Sequence, residues 1–235
     1  MQKYDILIDK HVGENCFIVG AGTSLYGVDL SPIHEHVVIS VNSSIILMPW
    51  QYGDETNRYW ISNDSAVRGW SYWEDVKKAK ATKIIRNSWK KYYGEIPDFL
   101  VFSPRVEVST NINPSEKALC YSSSIPSAID LAIQMGCKNI FLLGVDHYFR
   151  NNKSHFWQLY SKECQPIPTK TIVPPFALQQ HMFNVNEHSY DLLKWFADFS
   201  KSKIYNCNPS SRVKPFDKIE YKNALEMIKE YGKVL

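Results

Sequence analysis

Ten consecutive residues near the amino end, Cys16-Phe17-Ile18-Val19-Gly20-Ala21-Gly22-Thr23-Ser24-Leu25, restrict the fold more than any other stretch. The first four are apolar and suit a short buried strand. Gly20 and Gly22 let the chain turn sharply, and Thr23 and Ser24 carry hydroxyls suited to starting a helix. A strand that runs through a glycine turn into a helix start is how α/β proteins bring backbone N–H groups to a nucleotide phosphate. Gly-x-Gly-x-Ser by itself also describes a plain strand-to-helix turn, so the other segments must decide.

They repeat the same theme. Val37-Val38-Ile39-Ser40-Val41 predicts a second strand that ends at Asn42, and Arg58-Tyr59-Trp60-Ile61-Ser62 a third that ends at Asn63. Residues 83–86 and 99–102 predict two more, with helical character over 70–80. Ser122-Ser123-Ser124 precedes a helix over 127–135, closed by Gly136. Asn139-Ile140-Phe141-Leu142-Leu143 follows as a continuous apolar strand of the buried parallel kind, ended by Gly144-Val145-Asp146. A helix over 189–200 should turn Leu192, Leu193, Phe196 and Phe199 inward. A last strand over 203–207 and a mixed-charge helix over 217–233 complete the chain. Strands alternating with helices make this an α/β, Rossmann-like fold with a mainly parallel sheet and helices on both faces. In such a sheet Asn42 and Asn63 stand near the ligand crevice, and Ser123 and Ser124 occupy a helix amino end.

Residues 148–180 break the pattern. They are polar, aromatic and proline-rich, and longer than an ordinary connection, which marks a lid-like insertion. Residues 1–147 and 181–235 then form a single nucleotide-binding α/β domain.

The net charge of +3 over 235 residues leaves no electrostatic footprint for nucleic acid. Five widely spaced cysteines suit reduced thiols in a cytoplasmic protein. Neither a signal peptide nor an apolar run long enough to span a membrane stands out; peripheral membrane association and homo-oligomers stay open. The chain lacks a Walker Gly-Lys-Ser/Thr, a Gly-x-Ser-x-Gly elbow, His-Glu-x-x-His, Cys-x-x-Cys and Asp-x-Asp. Sugar-nucleotide chemistry here would therefore be metal-independent, with hydroxyl, amide and backbone donors aimed at the leaving phosphate.

Gly20-Ala21-Gly22-Thr23-Ser24-Leu25, the strand ends at Asn42 and Asn63, Ser123-Ser124 and Ile140-Phe141-Leu142-Leu143-Gly144-Val145-Asp146-His147-Tyr148 together resemble the small bacterial CMP-sialic-acid-dependent sialyltransferases. The chain is also similar to the wider set of Maf-type flagellin glycosyltransferases and archaeal MptE-like 6-hydroxymethylpterin diphosphokinases. The likeness runs over roughly residues 16–211, and is most specific over 123–148 and at Asn208-Pro209-Ser210-Ser211. It implies a GT-A variant of the fold and transfer of an acidic, sialic-acid-like sugar from a CMP donor to a glycan or protein hydroxyl, with no cofactor besides that donor. It also implies that Gly20, Gly22, Thr23 and Ser24 meet the cytidine monophosphate, that Asn42, Asn63 and Asp146 line the donor, and that Ser123 and Ser124 contact its sugar. Tyr148 would support the departing phosphate. The family's second such tyrosine is replaced by His155, and its histidine base falls near His181 and His188, of which His181 is favoured. The pterin relatives imply a competing activity, an ATP- and Mg²⁺-dependent pyrophosphokinase with Asp64 and Asp146 as metal ligands. A binding domain that has lost catalysis is a third reading.

Overall fold

The computed structural model describes residues 4–52, 55–89, 91, 98–102, 123–168 and 189–231. Eight strands, β1 (Asn15–Val19), β2 (Val37–Val41), β3 (Arg58–Ser62), β4 (Thr82–Arg86), β5 (Phe99–Phe102), β6 (Asn139–Leu143), β7 (Lys203–Asn206) and β8 (Asp217–Lys218), make one sheet in the order β5-β4-β3-β2-β1-β6-β7-β8. Every neighbouring pair is parallel, as expected from strands that are apolar on both faces. At the foot of the sheet Asn139 Nδ2 donates to Asn15 Oδ1 at 2.8 Å, a side-chain pair that marks the register of β1 against β6.

Cys16, Phe17, Ile18 and Val19 are wholly buried because β1 is central and both its faces are covered. On one face lie α2 (Ser124–Gln134) and α3 (residues 189–199), with Ala128, Leu131, Leu193 and Phe196 packed on Ile18, Ile39 and Ile61. On the other lie α1 (Trp73–Lys78) and α4 (Tyr221–Tyr231), over Phe17, Val38, Trp60 and Phe141. Phe17 stacks on Phe141 at 5.0 Å between centroids, and Trp73 packs on both Phe99 and Trp89.

Three expectations change. The last helix starts at Tyr221 rather than 217, since Asp217 and Lys218 add a two-residue strand to the sheet edge. So short a strand has no periodicity to read. The seam of α3 is Tyr190, Leu193 and Ala197; Phe199, about 200° further round than Ala197, is 65% exposed and stacks on Trp195. Finally, Thr23 and Ser24 start no α-helix: they belong to a single 3-10 turn, Thr23–Leu25.

From β1 the chain steps outward to β5, then returns to lay β6 against the opposite side of β1. The loops leaving β1 and β6 diverge at this topological switch point and open a crevice above the carboxyl ends.

Candidate functional site

The first wall of the crevice is organised by a carboxylate. Asp146, three residues past β6 and 2% exposed, accepts at Oδ1 from Ser24 Oγ (2.6 Å) and Asn208 Nδ2 (2.8 Å), and at Oδ2 from the Ser24 backbone N–H (2.8 Å) and the Thr23 hydroxyl (3.4 Å). Charge-assisted bonds of this kind are about twice as strong as neutral ones. They tie the glycine turn to the ends of β6 and β7. Gly22 must be glycine for this closure, because a Cβ there would lie 2.5 Å from Asp146 Oδ2 and 2.7 Å from the Gly144 carbonyl. The N–H groups of Gly20, Gly22, Ser24 and Leu25 all have acceptors. That of the half-buried Ala21 has none among the described residues; that of Thr23 also has none, but Thr23 is wholly buried.

A second layer holds Asp146. Asn206 Nδ2 and the Ser211 hydroxyl both donate to the Val145 carbonyl, and the Arg212 N–H donates to that of Asp146. The Asn208-Pro209-Ser210-Ser211 segment is thus a clamp under the end of β6. Asn208 Nδ2 also lies 3.4 Å from the Tyr148 hydroxyl.

The second wall is a relay of neutral groups. The Asn63 N–H donates to Ser124 Oγ (2.9 Å), Ser124 Oγ donates to Asn42 Oδ1 (3.2 Å), and Asn63 Nδ2 donates to Ser127 Oγ (2.9 Å). Asn42 takes a left-handed backbone, φ 54°, immediately after β2, and its carbonyl accepts from Trp60 Nε1. With Oδ1 engaged by Ser124, the half-buried Asn42 keeps its amide Nδ2 without a partner among the described residues. Ser123 is the N-cap of α2, yet its hydroxyl caps no N–H of the first turn. The two walls meet at Gly20, where an added Cβ would touch Ile125 of α2 at 3.2 Å.

Residues 148–168 strap the first wall from outside. The Phe156 N–H donates to the Ala21 carbonyl (2.9 Å), the 3-10 turn Phe156–Leu159 packs on Thr23–Leu25, and Ile167 bonds Ser71 through both its N–H and its carbonyl. His155 is the N-cap of that turn; Gln158 Oε1 accepts from its backbone N–H, and its Nδ1 is 2.7 Å from Ser154 Oγ. The Ser154 hydroxyl also lies 3.4 Å from Gln158 Oε1, so the tautomer of the ring decides whether Nδ1 accepts from the serine or donates to it.

The structure thus brings Gly20, Gly22, Thr23, Ser24, Asp146, Tyr148 and His155 to one side of the crevice, and Asn42, Asn63, Ser123 and Ser124 to the other. His181 and His188 lie outside the described residues. Asn208 and His147 belong to the segments that carry the resemblance but are given no role from sequence, and Ser127 reads there only as the start of a helix. The signal for Asn208 was available: it lies two residues past β7, the strand beside the one that leads to Asp146. His147 stands between Asp146 and Tyr148 in a left-handed backbone, φ 54°, with Nε2 3.0 Å from the hydroxyl of the buried Tyr190.

Burial pushes both His147 and His155 down to a pKa of about 4. Each is therefore neutral in the fold at pH values where an unfolded chain, at about 6.5, already binds a proton. Their contribution to stability is complete above about pH 6.5 and is lost as pH falls toward 4. The urea midpoint of the wild type is expected to drop over that interval, and less so in His147→Phe; equal slopes would show that His147 charges freely.

No family model matches the chain, and no curated protein matches it in sequence. Among solved structures, the Maf glycosyltransferase from Magnetospirillum magneticum AMB-1 superposes with a TM-score of 0.53 at 12% identity, over 97% of this chain and 38% of that one. The sialyltransferase CstII from Campylobacter jejuni in complex with cytidine-5'-monophosphate gives a TM-score of 0.46 at 16% identity, over 88% of this chain and 85% of that one. Its complex with CMP-3FNeuAc gives 0.45 at 14%. The chain shares its α/β fold with the Maf enzyme and spans well under half of that protein's length.

Proposed function

We propose that this chain is a glycosyltransferase that moves an acidic, sialic-acid-like sugar from a CMP-activated donor to a glycan or protein hydroxyl without a metal ion. The observation that carries the reading is the convergence of two donor-rich walls on the switch point of a parallel sheet, with the Ala21 amide on one side and Asn42 Nδ2 on the other. The residues that carry the resemblance to the sialyltransferases lie on these two walls, and the fold is shared with a glycosyltransferase.

In this reading the glycine turn receives the nucleotide monophosphate. Tyr148 and the imidazole of His155 stabilise charge as it develops on the departing phosphate, and Asn42, Ser123 and Ser124 face the donor sugar. Asp146 shapes the turn, since its oxygens already accept from Ser24 and Asn208. That engagement also speaks for metal independence, because the one carboxylate among the described residues at the centre of the site has its lone pairs committed. His181 or His188 takes the proton from the acceptor hydroxyl.

CMP at about one hundred times its Kd is expected to stabilise the protein by ~2.7 kcal/mol, a rise of roughly 5–10 °C in Tm for a chain of this size. UMP and GDP should do less. A shift with ATP and Mg²⁺ but none with millimolar CMP would replace this reading with the pyrophosphokinase.

A further inference from the structure

The surface changes character at the amino ends of the strands, on the side of the sheet opposite the crevice. Helix α3 runs toward that side, and its outer flank carries Trp195, 49% exposed, and Phe199, 65% exposed, with their rings stacked at 6.0 Å between centroids. A lone exposed aromatic is ordinary, but two in contact make an apolar patch. Past the helix, Lys201 leads through the buried Ser202 to Lys203 at the start of β7, and the Lys203 N–H donates to the carbonyl of Lys138, just ahead of β6. Lys138, Lys201 and Lys203 are all exposed, so the aromatic pair is bordered by three cationic side chains. The neighbouring carboxylates are engaged: Asp198 pairs with Lys194, and Glu14, whose carbonyl accepts from the Lys138 N–H, holds His11. Asp191 stands one turn before Trp195, at the end of the helix away from the lysines.

The chemistry of the patch narrows what covers it. Exposed rings call for an apolar medium, and the lysines beside them call for negative charge. A second copy of the chain would supply the first but not the second, because a twofold contact on this face brings lysines toward lysines. An anionic bilayer supplies both. Tryptophan and phenylalanine rings enter the boundary between headgroups and acyl chains, while lysine stems lie along the apolar surface and keep their ammonium groups at the lipid phosphates. We propose that this end of the molecule, with Trp195 and Phe199 ringed by Lys138, Lys201 and Lys203, docks on an anionic lipid surface. No helix among the described residues is long and apolar enough to cross a membrane, so the attachment is peripheral. Docking by the amino ends of the strands turns their carboxyl ends, and with them the crevice, toward the aqueous phase. It requires no donor and stands apart from the function proposed above.

The test mixes the full chain with vesicles of phosphatidylcholine alone and of equimolar phosphatidylcholine and phosphatidylglycerol. Co-sedimentation is expected with the anionic vesicles and not with the neutral ones, and it should weaken as salt rises. Lys201→Gln combined with Lys203→Gln, and separately Trp195→Ala combined with Phe199→Ala, should each lower partitioning at least about tenfold. These side chains are all exposed, so both variants should melt with the wild type and respond to CMP as it does. Phosphatidylglycerol brominated in its acyl chains should quench tryptophan fluorescence, and Trp195→Phe, which keeps an aromatic ring, should remove the quenching while leaving co-sedimentation in place. Absence of co-sedimentation with the anionic vesicles would overturn the proposal. So would equal binding to neutral vesicles, undiminished binding by the double lysine variant, or quenching that survives Trp195→Phe. A wild-type dimer that Trp195→Ala with Phe199→Ala dissociates would overturn it in favour of a second copy. Because the vesicles are tested without nucleotide, either result leaves the CMP stabilisation experiment standing, and a failure of CMP leaves this one standing.

Discussion

Gly22→Ala is expected to lower the melting temperature by roughly 5–10 °C and to abolish stabilisation by CMP. A methyl at this position would sit 2.5 Å from Asp146 Oδ2, 2.6 Å from its Cγ and 2.7 Å from the Gly144 carbonyl oxygen. None of these can move cheaply. The carboxylate is pinned by Ser24 and Asn208, and the Gly144 carbonyl accepts from the Gly22 N–H itself. Overpacking against such fixed partners costs about 2–3 kcal/mol, and for a chain of this size each kcal/mol is worth roughly 2–4 °C. Displacing the turn also moves the Ala21 amide, which the proposed function assigns to the phosphate. Thermal unfolding with and without CMP measures both effects. A variant that melts within about 1 °C of the wild type and still responds to CMP would mean that the turn has slack the geometry does not show.

Asp146→Asn is expected to be as severe, for the opposite reason: nothing clashes in volume, but the hydrogen bonding inverts. The carboxylate accepts from four donors, two at each oxygen, and asparagine offers one oxygen and an NH₂ that must face two of those donors. Hydrogen bonds to a buried charge are worth about 1.5–3 kcal/mol each, so a loss of about 3 kcal/mol in stability is expected. CMP affinity should fall about 100-fold with it if the turn is what the nucleotide contacts. Denaturant titration gives the first quantity and calorimetry with CMP the second. Unchanged affinity in a destabilised variant would assign Asp146 to the fold alone. Asn208→Ala, which removes one of the four donors, should reproduce a smaller share of both losses.

These two substitutions meet at a contact whose members are over a hundred positions apart, and this explains what could and could not be read in advance. Strands were legible because each is a short apolar run stopped by a polar residue, and parallel pairing followed from strands buried on both faces. The polar stops at Asn42 and Asn63 correctly pointed to one end of the sheet. What periodicity does not encode is which polar groups satisfy one another. Ser24 looked like a helix start because its neighbours in the chain are glycine and threonine; its actual partner is Asp146, brought there by the pairing of β1 with β6. The same holds for Ser124, which serves Asn63 and Asn42 rather than the helix beneath it. Phe199 was misplaced because the seam of its helix is set by Tyr190, whose hydroxyl meets His147, a contact with no local signature.

The strand order has a consequence for how the chain finds its native state. Cys16 lies opposite Val37 on one side and Ile140 on the other, and the asparagine pair that marks the second register joins positions 124 residues apart. β1 to β5 form by successive neighbour pairings, each closing a modest loop. β6 can dock only after the chain has crossed from the far edge back to the centre, the costliest closure in the molecule. Until it does, β1 is an open edge whose Cys16, Phe17, Ile18 and Val19 are all apolar, a template for a second chain in the same state. Neither the cradle around Gly22 nor the crevice exists before that step. A nascent chain interrupted ahead of residue 139 would therefore carry both an aggregation-prone edge and no site, and substitutions at the Asn15–Asn139 pair should slow refolding more than they lower the melting temperature.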